Sequence, residues 1–144
     1  MKISVDSNVF ISIHNSEKDA NECKLILKAI EEEKWDCYIP VIVISEILVG
    51  YYNQKSITLA DQFVLLMQKK YEIQPITINI AQKAAQYRAK FKVKLPDALI
   101  VASGENNKID VLVSNDIKMQ KKFPIMVHSV EEFVKKYKLD DLKE

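Results

Sequence analysis

A chain of 144 residues that is 48% hydrophobic sits near the commonest size of one domain and can bury one sizeable core. Its 21 basic and 20 acidic residues leave a net charge of +1, which argues against a disordered tail and against a strongly basic nucleic-acid clamp. An enzyme whose acidic site and basic rim cancel is still allowed. Only two glycines are present, Gly50 and Gly104, so no G-x-G-x-x-G turn or Walker phosphate loop can be written, which speaks against most nucleotide-binding enzymes.

In chain order, KISVD (2–6) reads as a short apolar strand ending in Asp6. Residues 16–34 place Ala20, Cys23, Leu27 and Ile30 on one helical face, with Ser16 and Asp19 as candidate starts. DCYIP (36–40) is a second strand, closed by Pro40. Residues 41–52 follow as a largely buried helix, and 55–70 as an amphipathic one through Ile57, Ala60, Val64 and Met67. YEIQPI (71–76) is a third, weaker strand. Asn79 to about Phe91 is helical, with Ile80, Ala84, Tyr87 and Phe91 on one side. Pro96 suits a first helical position and opens a helix over 96–106. DVLVS (110–114) and IMVHS (125–129) are the fourth and fifth strands. Ser129-Val-Glu-Glu132 is a capping box for a last helix over about 129–137. The alternation predicts one α/β domain over 1–144, with a mostly parallel sheet and helices on both faces.

The apolar runs carry carboxylates at their ends. Asp6 ends the first strand, Asp116 lies just past the fourth, Glu46 falls in the first turns after the second, and Asp97 falls in the first turn of the helix leading to the fourth. In open parallel sheets, ligands bind outside the carboxyl ends of the strands, so all four can approach one edge. Two unit charges about 4 Å apart cost about 4 kcal/mol at an effective dielectric of about 20, so such a cluster needs a cation. Mg²⁺ or Mn²⁺, hard ions that take carboxylate oxygen, suit it, and one or two of them would support phosphodiester hydrolysis. Each acid also has a plainer reading. Asp97 favours a helix N-terminus, Asp6 can cap the turn into Ser7-Asn8, Asn115-Asp116 is an ordinary turn pair, and a glutamate on a helix face is usually solvated.

Other reactive residues form no pattern. Cys23 and Cys37 are fourteen positions apart and, with His14 and His128, match no zinc finger; they read as buried thiols in a reducing compartment. Neither histidine is assigned a role, and Trp35 reads as a packing residue. The start, MKISVDSNVF, reaches Asp6 before any apolar signal region, and no apolar run is long enough to cross a bilayer. A cytoplasmic location and no membrane partner are expected.

The stretches VDSNVFI, VISEIL, LPDALIVA and LVSND, in that order, resemble the PIN-domain family, and most closely the single-domain VapC-type toxins. LPDALIVA followed by VLVSND is the most specific part. The resemblance implies a three-layer α/β/α sandwich with a five-stranded parallel sheet. It also implies a Mg²⁺- or Mn²⁺-dependent ribonuclease, commonly a homodimer, with an antitoxin protein as partner in toxin members. Carried over, Asp6, Glu46, Asp97 and Asp116 are the catalytic and metal-binding acids, with Asn8 and Ser114 as supporting polar residues. Two stretches depart from the pattern: Gly104-Glu105-Asn106-Asn107 stands where further small residues are common, and Met119 where phenylalanine is common. Both look like packing differences.

For RNA contact, YRAKFKVKLPD offers Arg88, Lys90, Lys92 and Lys94 ahead of Asp97, with Tyr87 and Phe91 as rings on which a base could stack. Lys118, with Lys121 and Lys122, forms a second candidate rim; cations that merely favour a helix C-terminus are the plainer reading. The Tyr51-Tyr52 pair suits an interface or the core equally. The expected function is metal-dependent endoribonuclease, leaving 3′-hydroxyl and 5′-phosphate ends. The alternative is a PIN-fold module that binds RNA or protein without cutting. An aspartyl-phosphate mechanism is set aside, because D-x-D is replaced by Asp6-Ser7-Asn8.

Overall fold

Ile3 and Val5 in the first strand are fully buried, and a strand so apolar belongs in the middle of a sheet covered on both sides. The computed structural model, which describes residues 1–142, puts it there. Strand β1 (Lys2–Val5) lies between β2 (Asp36–Pro40) and β4 (Val111–Val113), with β3 (Glu72–Gln74) and β5 (Val127–His128) at the edges. The order is β3-β2-β1-β4-β5 and every neighbouring pair is parallel. Helices cover the sheet in the expected three-layer α/β/α sandwich: α1 (Ser7–His14), α2 (Ala20–Glu31), α3 (Val41–Asn53), α4 (Ile57–Lys70), α5 (Ile78–Phe91), α6 (Leu95–Asn106), α7 (Ile117–Lys122) and α8 (Val130–Lys136). The main core joins the strand residues to α1, α2, α3 and α8, and a smaller cluster of Ile80, Ala84, Val93, Ala98 and Ala102 welds α5 to α6.

The strands are shorter than the apolar runs suggest, because residues at their ends serve as helix caps. Asp6 leaves β1 to accept from Ser7 N at 2.7 Å, and Ser129 leaves β5 to accept from Glu132 N at 3.1 Å, as the capping box predicts. The sequence pattern assigns no element to residues 7–14 or 117–122. Both are helices, and each begins on an aspartate cap just beyond a strand. In α1 the β-branched Val9, Ile11 and Ile13 hide the helical period.

Ser16 does not start α2. It sits at φ 51°, where its N–H bonds Ile13 O at 3.2 Å and the next N–H bonds Ser12 O at 2.9 Å, closing α1. Glu33, Lys55 and Lys108 hold the same left-handed position after α2, α3 and α6. A chain with two glycines closes its helices with strained L-residues. Trp35 packs edge-on against Phe133, with ring centroids 5.2 Å apart, in the packing role expected of it. Cys23 and Cys37 are free and buried, again as expected.

Gly104 explains itself through α6, the helix that carries Asp97. A Cβ there would lie 2.6 Å from Ile109 Cδ1, so α6 closes on the segment entering β4 only because the side chain is missing. Gly104→Leu should lower unfolding free energy by about 1–3 kcal/mol, the usual cost of overpacking. Lys108→Gly, four residues on, should instead raise it by about 0.5–1 kcal/mol by relieving a left-handed conformation. Urea denaturation of the two variants checks both signs.

Candidate active site

The backbone brings the ends of β1 and β4 side by side. Val5 pairs with Val113, and Asp6 N donates to Val113 O at 3.0 Å, so the next residues, Asp6 and Ser114, leave the sheet together. This is also where the strand order changes direction, the place at which open α/β sheets form their crevice.

Ser114 is fully buried, and its single hydroxyl organises the crevice. It donates to Asp6 Oδ2 at 2.6 Å and accepts from Asp116 N at 3.1 Å and from Asn8 Nδ2 at 3.4 Å. Asn8 Nδ2 also reaches Asp6 Oδ2 at 3.3 Å, and Asp116 Oδ1 caps α7 by accepting from Met119 N at 2.8 Å. Asp6 is only 4% exposed. Burial pushes its carboxyl above the ordinary range and the charge on Asp116 adds to that, while the bonds from Ser114 and Ser7 pull the other way.

Glu46, in the second turn of α3, and Asp97, third residue of α6, close the group. Burial first, and then the charge on Asp6, pushes Glu46 to about 7; Asp97 adds further and a Ser7 hydrogen bond opposes. Burial first, and then Asp116 and Asp6, pushes Asp97 to about 6, against Lys94 and Lys118. The four acids therefore feel one another, although they come from four elements. Two buried acceptors among these residues, Glu46 Oε1 and Asn8 Oδ1, have no hydrogen-bond partner. The donors are all hard oxygens, the chemistry that suits Mg²⁺ or Mn²⁺. Among the described residues, however, no three His, Cys, Asp or Glu side chains converge closely enough to hold a metal ion.

The candidate RNA contacts separate into two kinds. Lys94, at the N-cap of α6, and Lys118 in α7 are exposed and near enough to Asp97 to lower its pKa. Arg88 Nη1 donates to Val93 O at 2.8 Å, Lys118 Nζ donates to Lys92 O at 2.8 Å, and Lys92 takes the left-handed cap of α5. These contacts brace the turn that launches α6. Tyr87 and Phe91 pack against Phe123 with centroids 5.2 Å apart, so both rings belong to an aromatic cluster in which they stay half-buried.

Sequence reasoning missed Ser7 and Asn115. Ser7 donates its backbone N–H to Asp6 and opposes the rise at Glu46. Asn115 Nδ2 bonds Asp19 Oδ2 at 2.6 Å and its Oδ1 accepts from Val130 N at 3.0 Å, joining the starts of α2 and α8 beside Asp116. Their only sequence signal is adjacency to an acid. A cavity of about 600 Å³ lies beyond Asn115, between α2 and α8, but none of the four acids lines it. No described helix is long and apolar enough to cross a membrane.

Comparison with known proteins agrees with the geometry. The chain is similar in structure to a toxin–antitoxin complex from Klebsiella pneumoniae, with TM-score 0.70, 23% identity, and coverage of 89% of this chain and 97% of the other. It is similar to VapBC2 of Rickettsia felis bound to a promoter DNA fragment, with TM-score 0.69, 19% identity and coverage of 90% and 98%. A sarcin-ricin-loop-cleaving VapC toxin of Mycobacterium tuberculosis matches with TM-score 0.69, 11% identity and coverage of 84% and 95%. No curated protein sequence matches. The PIN-domain profile matches residues 3–123, most of the chain, and the chain belongs to the PIN-domain family.

Proposed function

We propose that this chain is a metal-dependent endoribonuclease, a hydrolase of RNA phosphodiester bonds and the toxin of a toxin–antitoxin pair. The observation that carries the reading is the gathering of Asp6, Glu46, Asp97 and Asp116 at one edge of the sheet, where burial first and neighbouring carboxylates second raise the pKa of three of them. A fold keeps such a cost where a function needs it. Asp6, Glu46, Asp97 and Asp116 would hold one or two Mg²⁺ or Mn²⁺ ions. When bound, a divalent ion supplies charge stabilisation at the phosphoryl group and a more acidic water.

The chain's own residues do the rest. Ser114 and Asn8 hold the Asp6 carboxylate, the Met119 N–H holds Asp116, and α6 delivers Asp97 from a turn braced by Arg88 and Lys118. Lys94 and Lys118 offer the positive charge that a phosphate needs beside so many acids. Arg88 and Lys92 take part through the turn they shape.

An antitoxin protein and a second copy of the chain are the proposed partners, following the toxin–antitoxin complexes among the structural neighbours. Exposed apolar residues supply a surface for them: Val49 and Tyr52 on α3, with Ile57, Leu59, Leu65 and Leu66 on α4. The second reading, a PIN-fold module that binds RNA or protein without cutting, is favoured by one observation. Among the described residues, no three acids close tightly enough for an ion.

Cleavage of mixed structured RNA, tRNA included, separates the two. Activity should require Mg²⁺ or Mn²⁺, leave 5′-phosphate ends and fall about a hundredfold or more in Asp97→Asn, since an ion's contribution is several kcal/mol. Equal activity in the variant sinks the assignment of Asp97. Calorimetry with Mn²⁺ that detects no binding favours the silent module.

The raised carboxyls also predict a pH dependence. Glu46 titrates near 7 against an ordinary 4.5, and Asp97 near 6 against 3.8, so between those limits the folded chain holds protons that the unfolded chain releases. Stability is therefore fullest below the ordinary values and falls as pH rises through about 4 to 7. In EDTA, Tm should decline across that window. Glu46→Gln should flatten the decline and melt higher than the parent at pH 7.5. Added Mn²⁺ should raise the parent's Tm most above pH 7, where the acids are ionised. A Tm that climbs from pH 5 to 7.5 without metal contradicts the raised values.

A further inference from the structure

Gly50 sits three-quarters of the way along α3, where glycine weakens a helix relative to alanine. Gly104 is accounted for by Ile109, but a Cβ on Gly50 would meet nothing within 4 Å. The protein's own packing therefore gives no reason for the missing side chain. What Gly50 lines is a slot of about 140 Å³ between α1 and α3, whose walls include the apolar Ile11, Ile47 and Tyr51 together with His14, Asn15, Glu46 and Gln54. Tyr51 is held in place by His14 and Phe63, with centroids 5.2 and 5.6 Å away. Glu46 Oε1 is one of the buried acceptors without a hydrogen-bond partner.

We propose that this slot is a nucleobase subsite, seating the base of a nucleotide next to the phosphodiester held at the acids. The proposal rests on the ribonuclease reading and adds to it the part of the RNA that is recognised. Three features select a base. The slot has room for one planar ring system and is too small for a turn of peptide. Its walls suit the faces of an unstacked base, which single-stranded RNA presents to aromatic and apolar side chains. Its one acid repels a phosphate and accepts from a base edge that carries N–H donors, as guanine, adenine and cytosine do. A carboxylate has two oxygens and about four acceptor positions, so Glu46 can face the other acids and the slot together. Continuity follows, because Glu46, which lines the slot, is also one of the four acids. With no side chain, Gly50 leaves its part of the slot wall unfilled.

The test avoids cleavage. AMP, GMP, CMP, UMP and ribose 5-phosphate are titrated into the ¹⁵N-labelled full chain in EDTA, following the amides of Ile47, Gly50 and Tyr51. At least one nucleotide with an amino-bearing base should shift these amides saturably, and ribose 5-phosphate should not. Gly50→Leu, which fills the slot, should weaken that response roughly ten- to hundredfold, the weight of one well-seated base. Gly50→Ala, a second filling variant with still less reason to disturb the fold, should weaken it in the same direction.

Four results overturn the proposal: no response to any nucleotide, the same response to ribose 5-phosphate, undiminished binding in both folded variants, or a response at these amides only to an arginine-containing peptide. The last would assign the slot to a protein segment. Because the titration is metal-free, RNA cleavage failing in every metal would defeat the nuclease reading while leaving this binding result to stand or fall by itself.

Discussion

A single hydroxyl joins the ends of two neighbouring inner strands, β1 and β4, where the acids gather. Ser114, just past β4, donates its proton to Asp6, just past β1, over 2.6 Å and away from solvent. A hydrogen bond to a charged group is worth about 1.5–3 kcal/mol, and this one also fixes geometry. With its proton committed, the oxygen can only accept, and it does so from Asp116 N and Asn8 Nδ2. Three of the residues assigned to the site by sequence are thus oriented by the fourth, and the parallel register of Val5 with Val113 is what brings them within reach.

The same junction does two jobs for the fold. Asp6 and Asp116 are the N-caps of α1 and α7, so the carboxylates that crowd the crevice also start the helices leaving it. A helix N-terminus favours negative charge, which offsets part of the repulsion. It does not remove it: burial and neighbouring charge still hold Asp6, Glu46 and Asp97 above their ordinary values. Capping and crowding therefore fall on the same residues.

The basic residues divide by the same logic. Lysines close to the acids, Lys94 and Lys118, act on Asp97 through space, whereas Arg88 and the Lys92 backbone shape the turn before α6. Lys118 does both, since its ammonium also holds Lys92 O. A stripe of alternate cations in sequence becomes an arrangement with distinct parts once α5 ends and the chain turns.

By itself the sequence determined the α/β alternation, most helix starts and the placing of four acids at or near the ends of apolar runs. Those are local matters: apolar period, capping chemistry at Ser129, and carboxylates at the ends of apolar runs. It also marked Trp35, Cys23 and Cys37 as packing residues, because size and polarity alone favour their burial. The tertiary structure decided what depends on partners distant in sequence. Helix α1 is disguised by β-branched residues, and Ser16 turns from an expected start into an end because the hydrogen bonds of α1 need closing. Tyr87 and Phe91 meet Phe123, more than thirty residues on, in an aromatic cluster that no local pattern announces. The strand order β3-β2-β1-β4-β5, which sets Asp6 beside Ser114 across 108 positions, is written in no local pattern, since register and adjacency are set by packing over the whole sheet.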